Sequence, residues 1–137
     1  MSIKKTVFLV AATLCAALPF QAQAGDLIAD NLTNFDSTTV TNGNVCSIIL
    51  GQAGIARAHT VGNKITDRQV KIACGKHKRD CKAEVRMTAN CKGRTVATVM
   101  FDVDTGIYDI QNHKTSDPAE PQFTLTGSGF KSVVTQD

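Results

Sequence analysis

The segment Cys74-Gly-Lys-His-Lys-Arg-Asp-Cys81 places four potentially cationic residues between two cysteines. Cysteine and histidine can bind zinc, paired cysteines can do redox chemistry, and clustered Lys and Arg can bind anionic groups. Zinc ligands are normally spaced as C-x₂₋₄-C and redox cysteines as C-x-x-C, but these two cysteines are seven positions apart. We therefore predict a loop closed by a disulfide, with no metal and no cofactor.

The three histidines, His59, His77 and His113, are dispersed along the chain. A nucleophile elbow of the form G-x-S-x-G is absent, and Gly127-Ser128-Gly129 is typical of a turn. We predict no catalytic residue. The alternative is a small hydrolase whose site is assembled in space from dispersed residues such as His59, His113 and Asp109.

Three aspartates, Asp102, Asp104 and Asp109, lie where a calcium loop could form. In the EF-hand pattern, however, Gly106 would fall one position early, and no glutamate closes the loop. A solvated turn is the better interpretation.

The cationic residues of the Cys74–Cys81 segment continue into the strand that follows it. On that strand, polar positions alternate with apolar ones, so its basic side chains share one face with the loop. A basic face attracts acidic ligands, although no aromatic residues interleave with the charges as nucleic-acid binding would favour. We favour a solvated face, with binding of an acidic ligand or protein partner as the alternative; the residues of this face are Lys76, His77, Lys78, Arg79, Lys82 and Arg86.

Charge is unevenly distributed. Eleven Lys and Arg face three acids between Arg57 and Arg94, whereas six acids face two lysines from Asp102 to the end. Without Lys4 and Lys5 the chain carries 13 basic and 12 acidic residues, so the net charge by itself indicates no class of partner.

Residues 1–24 have the features of a secretory signal peptide. Lys4 and Lys5 precede an apolar run, and Ala22-Gln23-Ala24 supplies a cleavage pattern. The run is shorter than the roughly 20 residues that span a bilayer, and no later segment is as apolar. We expect an exported protein, periplasmic or secreted, with no transmembrane segment and a single β-rich domain over residues 25–137.

Alternating apolar and polar residues predict an all-β domain, an antiparallel sandwich or small barrel of about seven or eight short strands. A helix over about 45–58 is an alternative that Gly51 and Gly54 oppose. Nine segments have a strand-like pattern, and two of them, 45–50 and 55–61, are the ones for which the helix is the alternative. They are 37–41, 45–50, 55–61, 70–74, 81–91, 95–104, 107–110, 123–126 and 130–134.

The hairpin after residue 81 can be registered from its faces. A three-residue loop, Cys91-Lys92-Gly93, places Val85 opposite Val99 and Cys81 opposite Val103, which keeps apolar residues on one face. A two-residue loop would mix the two faces.

Removing Cys15 with the leader leaves four cysteines, an even set in an exported chain, which predicts two disulfides. Cys81 and Cys91 lie ten residues apart on one predicted strand, about 33 Å at roughly 3.3 Å per residue, and so cannot pair. If segment 70–74 forms a hairpin with the next strand, Cys74 lies opposite Cys81 and far from Cys91. Elimination then predicts the disulfides Cys74–Cys81 and Cys46–Cys91.

The block CKAEVRMTANCKGRTVATVMFDVDTGI contains two cysteines, an N-C-x-G turn and an A-T-V-x-F-D strand. It resembles a segment of small exported proteins of unknown function from intracellular gammaproteobacteria. The resemblance implies a bacterial exported protein and carries no catalytic motif. Our first hypothesis is a non-enzymatic domain that binds a partner through its loops or the basic face, and the small hydrolase is the second.

Overall fold

The computed structural model describes residues 25–137, and the predicted signal peptide lies outside them. Within this range the chain forms nine strands, one α-helix and one 3₁₀ segment. In chain order they are β1 (Leu27–Asn31), β2 (Thr38–Thr41), β3 (Val45–Cys46), the 3₁₀ segment (Ser47–Gly54), β4 (Thr60–Ile65), α1 (Asp67–Cys74), β5 (Cys81–Arg86), β6 (Thr95–Asp102), β7 (Gly106–Asn112), β8 (Phe123–Ser128) and β9 (Lys131–Gln136).

The strands form two sheets. Sheet I has the order β4-β1-β9-β8, and sheet II has the order β3-β2-β5-β6-β7. Neighbouring strands are antiparallel except β1 and β9, which are parallel. The prediction of a β-rich domain stapled by two disulfides is confirmed, and its strands form two sheets.

The core lies between the sheets. The inward residues of β5 and β6, such as Val85 and Val99, pack in one buried cluster with Phe123, Leu125 and Val134 from β8 and β9. A second cluster beneath α1 joins Val70 and both cysteines of the Cys74–Cys81 pair to Phe101 and Val103. The alternation that predicted these strands therefore marks their buried faces.

Segment 70–74 was predicted as a strand and is instead the second half of α1. Thr66 Oγ1 accepts a hydrogen bond from the Gln69 backbone N–H, while the Gln69 side chain accepts one from the Thr66 N–H. This capping box starts the helix. Val70 and Cys74 are buried one turn apart, whereas Ile72, which strand alternation would bury with them, is 54% exposed.

The predicted strand 45–50 is also corrected, because only Val45–Cys46 is a strand and the 3₁₀ segment follows it. Ser47 Oγ donates to the Gly54 carbonyl at 2.6 Å and accepts from the Thr39 N–H at 3.0 Å. A side chain at residue 54 would overlap the Ser47 backbone, so glycine permits this closure. The helical alternative for 45–58 was thus partly right.

The lead-in before β2 holds an unpredicted strand, β1, which lies between β4 and β9 in sheet I. Its end is fixed by Asn31, fully buried, whose Nδ2 donates to the carbonyls of Phe35 and Ala56 at 2.7 and 2.9 Å. These bonds satisfy a buried polar side chain that looked like loop composition in the sequence.

The predicted register of the β5–β6 hairpin is two residues wrong. Val85 pairs with Ala97 and Cys81 with Phe101, because β5 ends at Arg86 and the connection is longer than three residues. A shift of two preserves the faces, so the apolar side chains still point inward.

Candidate functional site

The predicted cationic segment forms a loop, residues 75–80, between α1 and β5, which we call the clamped loop. The Cys74–Cys81 disulfide closes its neck with a Cα–Cα distance of 5.3 Å. Two backbone hydrogen bonds also hold the loop. Near its neck, His77 N–H donates to the Cys74 carbonyl at 3.0 Å, and from the neighbouring β6–β7 turn Val103 N–H donates to the Lys78 carbonyl at 2.8 Å. The loop is therefore anchored at both ends and once in its middle.

The cations of the clamped loop differ in their partners. His77 Nδ1 lies 3.3 Å from the Asp80 carboxylate, and Arg79 lies 3.6 Å from Asp102 and 3.9 Å from Asp104. Lys76 and Lys78 are exposed, and within residues 25–137 neither has a carboxylate within 4.0 Å. These two ammonium groups are the ones open to an external anion.

Neighbouring cations are already neutralised. Lys71 on α1 lies 2.8 Å from Asp67, one turn earlier, and the hydrogen bond from this ammonium to the Asp67 carboxylate raises the pKa of Lys71. On β5, Lys82 lies 3.8 Å from Glu84. The basic stretch is thus less open to anions than its composition indicates.

Arg86, the last residue of the predicted face, is turned to its own loop. Its Nη1 donates to the carbonyls of Cys91 and Gly93 at 3.1 and 3.0 Å, and its Nη2 donates to the Glu84 carboxylate at 3.0 Å. The side chain is only 20% exposed. Arg86 therefore has a structural position, and few of its guanidinium N–H groups remain for a ligand.

The second disulfide joins Cys46 to Cys91 with a Cα–Cα distance of 6.0 Å. The two bridges are thus the pairs that elimination predicts, but two premises of that elimination are wrong. Cys74 ends a helix rather than a strand, and β5 ends before Cys91, so Cys81 and Cys91 do not share one strand.

The residues of the hydrolase alternative do not meet. His59 Nε2 lies 2.6 Å from Asn34 Oδ1, and His113 Nε2 lies 2.7 Å from Thr98 Oγ1. Within the described residues, no carboxylate lies within 4.0 Å of either ring. Asp109 lies four residues before His113 on the chain, about 13 Å at roughly 3.3 Å per residue along a strand.

Metal ligation has no cluster to support it in residues 25–137, where no group of three His, Cys, Asp or Glu is close enough to hold an ion. The Asp102–Gly106 segment is the turn between β6 and β7. Asp102 Oδ1 accepts hydrogen bonds from the backbone N–H groups of Asp104 and Thr105 at 2.8 and 3.3 Å.

A cavity of about 140 Å³ lies between the sheets, and it was not predicted from the sequence. Sheet I, sheet II, the 3₁₀ segment and α1 all contribute to its wall. Small side chains on separate elements, among them Ala29, Ala53, Ala73 and Ala83, leave room for it, and no local sequence pattern connects them.

Over the same described range, no helix is both long enough and apolar enough to cross a bilayer. No curated protein sequence matches the chain closely enough to name a relative.

The fold has a counterpart among solved structures. The crystal structure of the Legionella pneumophila type II secretion system substrate NttC superposes on this chain with a TM-score of 0.62 and 23% sequence identity, covering 85% of this chain and 100% of that one. At this identity the match supports the fold. The family described as T2SS substrate NttC matches residues 1–136, nearly the whole chain. The chain therefore belongs to the NttC family of type II secretion substrates and is exported through the inner membrane to the periplasm or beyond.

Proposed function

We propose that the exported domain is a non-enzymatic binding protein, which holds an anionic group of its partner at the clamped loop. The observation that carries this proposal is the exposure of Lys76 and Lys78 on a disulfide-closed loop, with no carboxylate of residues 25–137 within 4.0 Å of either ammonium group. The two lysines are separated in the sequence only by His77, and we infer that one phosphate, sulfate or carboxylate group contacts both.

The clamp lowers the cost of binding. A flexible loop loses conformational freedom when it binds a ligand, whereas a loop already closed by a disulfide loses less. The hydrogen bond from Val103 N–H to the Lys78 carbonyl restricts the backbone between the two lysines and the neck. The ammonium groups keep flexible stems, so the site suits a charged group more than a fixed hydrogen-bonding shape.

The carboxylates around the loop limit the proposed anion-binding site to Lys76 and Lys78. Asp80, Asp102 and Asp104 face His77 and Arg79 and reduce the positive potential there. The strongest positive potential of the loop therefore lies at Lys76 and Lys78, and a ligand would place one anionic group there, whether that group is free or carried on a chain. Nucleic acid remains a poor fit, because base stacking needs aromatic residues beside the cations.

Chromatography of the purified exported protein on immobilised heparin, a sulfated probe, tests the proposal. Wild type should elute after Lys78→Gln, and the double variant Lys76→Gln/Lys78→Gln should elute earliest. The matched control is Lys92→Gln, which removes an exposed lysine from the β5–β6 connection without touching the loop. The logarithm of the heparin-binding constant falls with the logarithm of the salt concentration, and each lysine lost from the site should reduce the magnitude of that slope by about one.

Elution of wild type in the low-salt wash, or equal shifts for Lys78→Gln and Lys92→Gln, would overturn the loop as the site. A hydrolase is the second candidate, favoured only by the short contact between His113 and Thr98. Turnover of a hydrolase substrate by wild type and its loss in both His113→Ala and Thr98→Val would support that candidate instead.

A further inference from the structure

The cavity between the sheets has a mostly apolar wall, and several of its polar side chains are already hydrogen-bonded to the protein. Thr41 Oγ1 donates to the Ala73 carbonyl at 3.0 Å, Ser47 Oγ to the Gly54 carbonyl at 2.6 Å, and Asn63 Nδ2 to the Ala29 carbonyl at 3.0 Å. Thr38 Oγ1 likewise donates to the Thr88 carbonyl at 2.9 Å. These hydroxyl and amide groups serve the protein backbone rather than the cavity.

Four further polar residues line the wall: Asp30, whose carboxylate accepts from the Gly62 N–H and lies 3.8 Å from Lys131, and Ser37, Thr39 and Ser132. In residues 25–137, Arg86 Nε is the one fully buried side-chain nitrogen or oxygen without a hydrogen-bond partner, and Arg86 does not line the cavity. A water molecule needs two to four polar partners to be stable in a buried site. Water in this space gains little, and an apolar group that displaces it gains contact with the wall.

The volume of the cavity limits the size of the ligand that it can hold. An apolar cavity of about 150 Å³ is large enough for benzene, and this one is about 140 Å³ and opens partly to the surface. Its wall combines small side chains with Val99, Phe101 and Leu125, which present only carbon to the space. A fatty acyl chain of full length or a large fused ring system would not fit without expansion.

Two short helical segments border the cavity on one side. The 3₁₀ segment contributes Leu50 and Ala53, and α1 contributes Val70 and Ala73. The 3₁₀ segment is interrupted at Gly51, which has a φ of 70°, and 3₁₀ hydrogen bonds are weaker than those of an α-helix. Ile49 on this segment is 61% exposed, which places apolar surface beside the border of the cavity.

We propose that the space between the sheets is a binding site for a small apolar molecule, or for the apolar end of a larger one, the size of a single aromatic ring or a short alkyl chain. The ligand enters beside the 3₁₀ segment, where the cover is least regular. This site is independent of the clamped loop, and neither proposal requires the other.

Titration of the purified exported protein with toluene, followed by NMR of the methyl groups of Val85, Val99 and Leu125, tests the proposal. Wild type should show saturable shifts at these methyls. In Ala83→Leu, whose new side chain occupies the space, the toluene affinity should fall by at least about tenfold, which corresponds to about 1.4 kcal/mol. Ala89→Leu is the matched control, because Ala89 is exposed and does not line the cavity.

A second filling variant, Ala73→Leu, approaches the space from α1 and covers the case in which residue 83 tolerates no larger side chain. If one of the two filling variants unfolds at a lower temperature than Ala89→Leu, the toluene affinity of the other filling variant is used for the comparison. Absence of saturation up to the solubility of toluene in wild type, or equal affinity in wild type and both folded filling variants, overturns the site. Heparin elution should be unchanged in Ala83→Leu, so failure of either proposal leaves the other standing.

Discussion

Arg86 and Glu84 lie on the same face of β5, and the Arg86 guanidinium donates a hydrogen bond to the Glu84 carboxylate at 3.0 Å. The other end of the guanidinium donates to two carbonyls of the β5–β6 connection, those of Cys91 and Gly93. Both side chains are about four-fifths buried. The planar, forked guanidinium of Arg86 therefore joins β5 to the β5–β6 connection.

We expect Arg86→Ala to lower the free energy of unfolding by about 2 kcal/mol, because two loop carbonyls and a largely buried carboxylate lose charged donors. Arg86→Lys should recover only part of this loss, since an ammonium group cannot donate in the planar geometry of the fork. Urea unfolding followed by circular dichroism measures both. Full recovery in the lysine variant would show that charge alone matters, and a shift in heparin elution larger than that of Lys92→Gln would give Arg86 a part in binding.

The two disulfides should differ in their contribution to stability. Cys46–Cys91 spans 45 residues and Cys74–Cys81 spans 7. In the chain-entropy account, such bridges contribute about 4 and about 2.4 kcal/mol, respectively. We expect Cys46→Ala/Cys91→Ala to unfold at lower urea concentration than Cys74→Ala/Cys81→Ala. The opposite order would mean that the buried packing of Cys74 and Cys81 outweighs loop length.

The order of reduction should follow exposure. Cys74 and Cys81 are 3% and 1% exposed, whereas Cys46 and Cys91 are half-buried. Thiolate attack requires access to a sulfur, so a mild reductant under native conditions should open Cys46–Cys91 first. Alkylation of the free thiols and mass mapping at successive times measures this order. Prior alkylation of Cys74 or Cys81 would contradict it and would indicate that the clamped loop opens locally.

Gly106 lies against the backbone of Gly129 and should not tolerate a side chain. Its φ is +95°, and a Cβ there would collide with the backbone of Gly129, the residue whose carbonyl accepts a hydrogen bond from Ile107 N–H at 2.7 Å. Gly43 also has a positive φ, of +80°, but has open space around it. We expect Gly43→Ala to cost about 1 kcal/mol from backbone strain, and Gly106→Ala to cost about 1–3 kcal/mol more from the collision.

Thermal or urea unfolding of the two glycine variants gives the comparison directly. Similar losses in both variants would mean that only the positive φ matters and that the contact between the β6–β7 turn and residue 129 yields without cost.

The strands that could be predicted from the sequence are those with one buried face. In β5 and β6 the inward residues are apolar and most of them are buried, and a period of two fixes the face even where the register was wrong. The register failed because the chain leaves β5 at Arg86, where the guanidinium holds loop carbonyls that no pattern of apolar residues records.

The elements that could not be predicted depend on polar contacts or on ambiguous spacing. Val70, Ile72 and Cys74 fit a strand, but Val70 and Cys74 alone fit a helix, and the Thr66–Gln69 capping box decides between them. β1 ends at a buried asparagine satisfied by distant carbonyls. A polar side chain can be buried only where the fold brings hydrogen-bond partners to it, so from the sequence alone a segment rich in such residues is interpreted as a loop.

For the candidate site, spacing predicted the loop but not the state of its charges. Asp102 and Asp104 reach Arg79 from the β6–β7 turn, about two dozen residues later in the chain. The separation of Lys76 and Lys78 from these acids is a property of the fold. The cavity likewise arises from small residues on several elements, which no local pattern connects.

The pH dependence of stability should include a contribution from Asp36. Ala58 N–H donates to Asp36 Oδ1 at 2.9 Å and Arg57 Nη1 donates to Oδ2 at 3.0 Å, and these bonds, the backbone one first, lower the pKa of Asp36 below its ordinary value of 3.8. Because the carboxylate is favoured in the folded state, its contribution is present above pH 3.8 and is lost as the pH falls through the lower pKa of the folded protein.

Asp36→Asn should therefore be less stable than wild type at neutral pH, by about 1 kcal/mol or less because the ion pair is partly exposed, and the difference should shrink as the pH falls below 3.8. Asp109→Asn is the control, since Asp109 is exposed and has no ion pair or side-chain hydrogen bond in residues 25–137. Urea unfolding of the three proteins across this pH range measures the effect. A difference that stays constant with pH would show that the amide side chain disturbs the turn sterically, and that the charge on Asp36 adds nothing to stability.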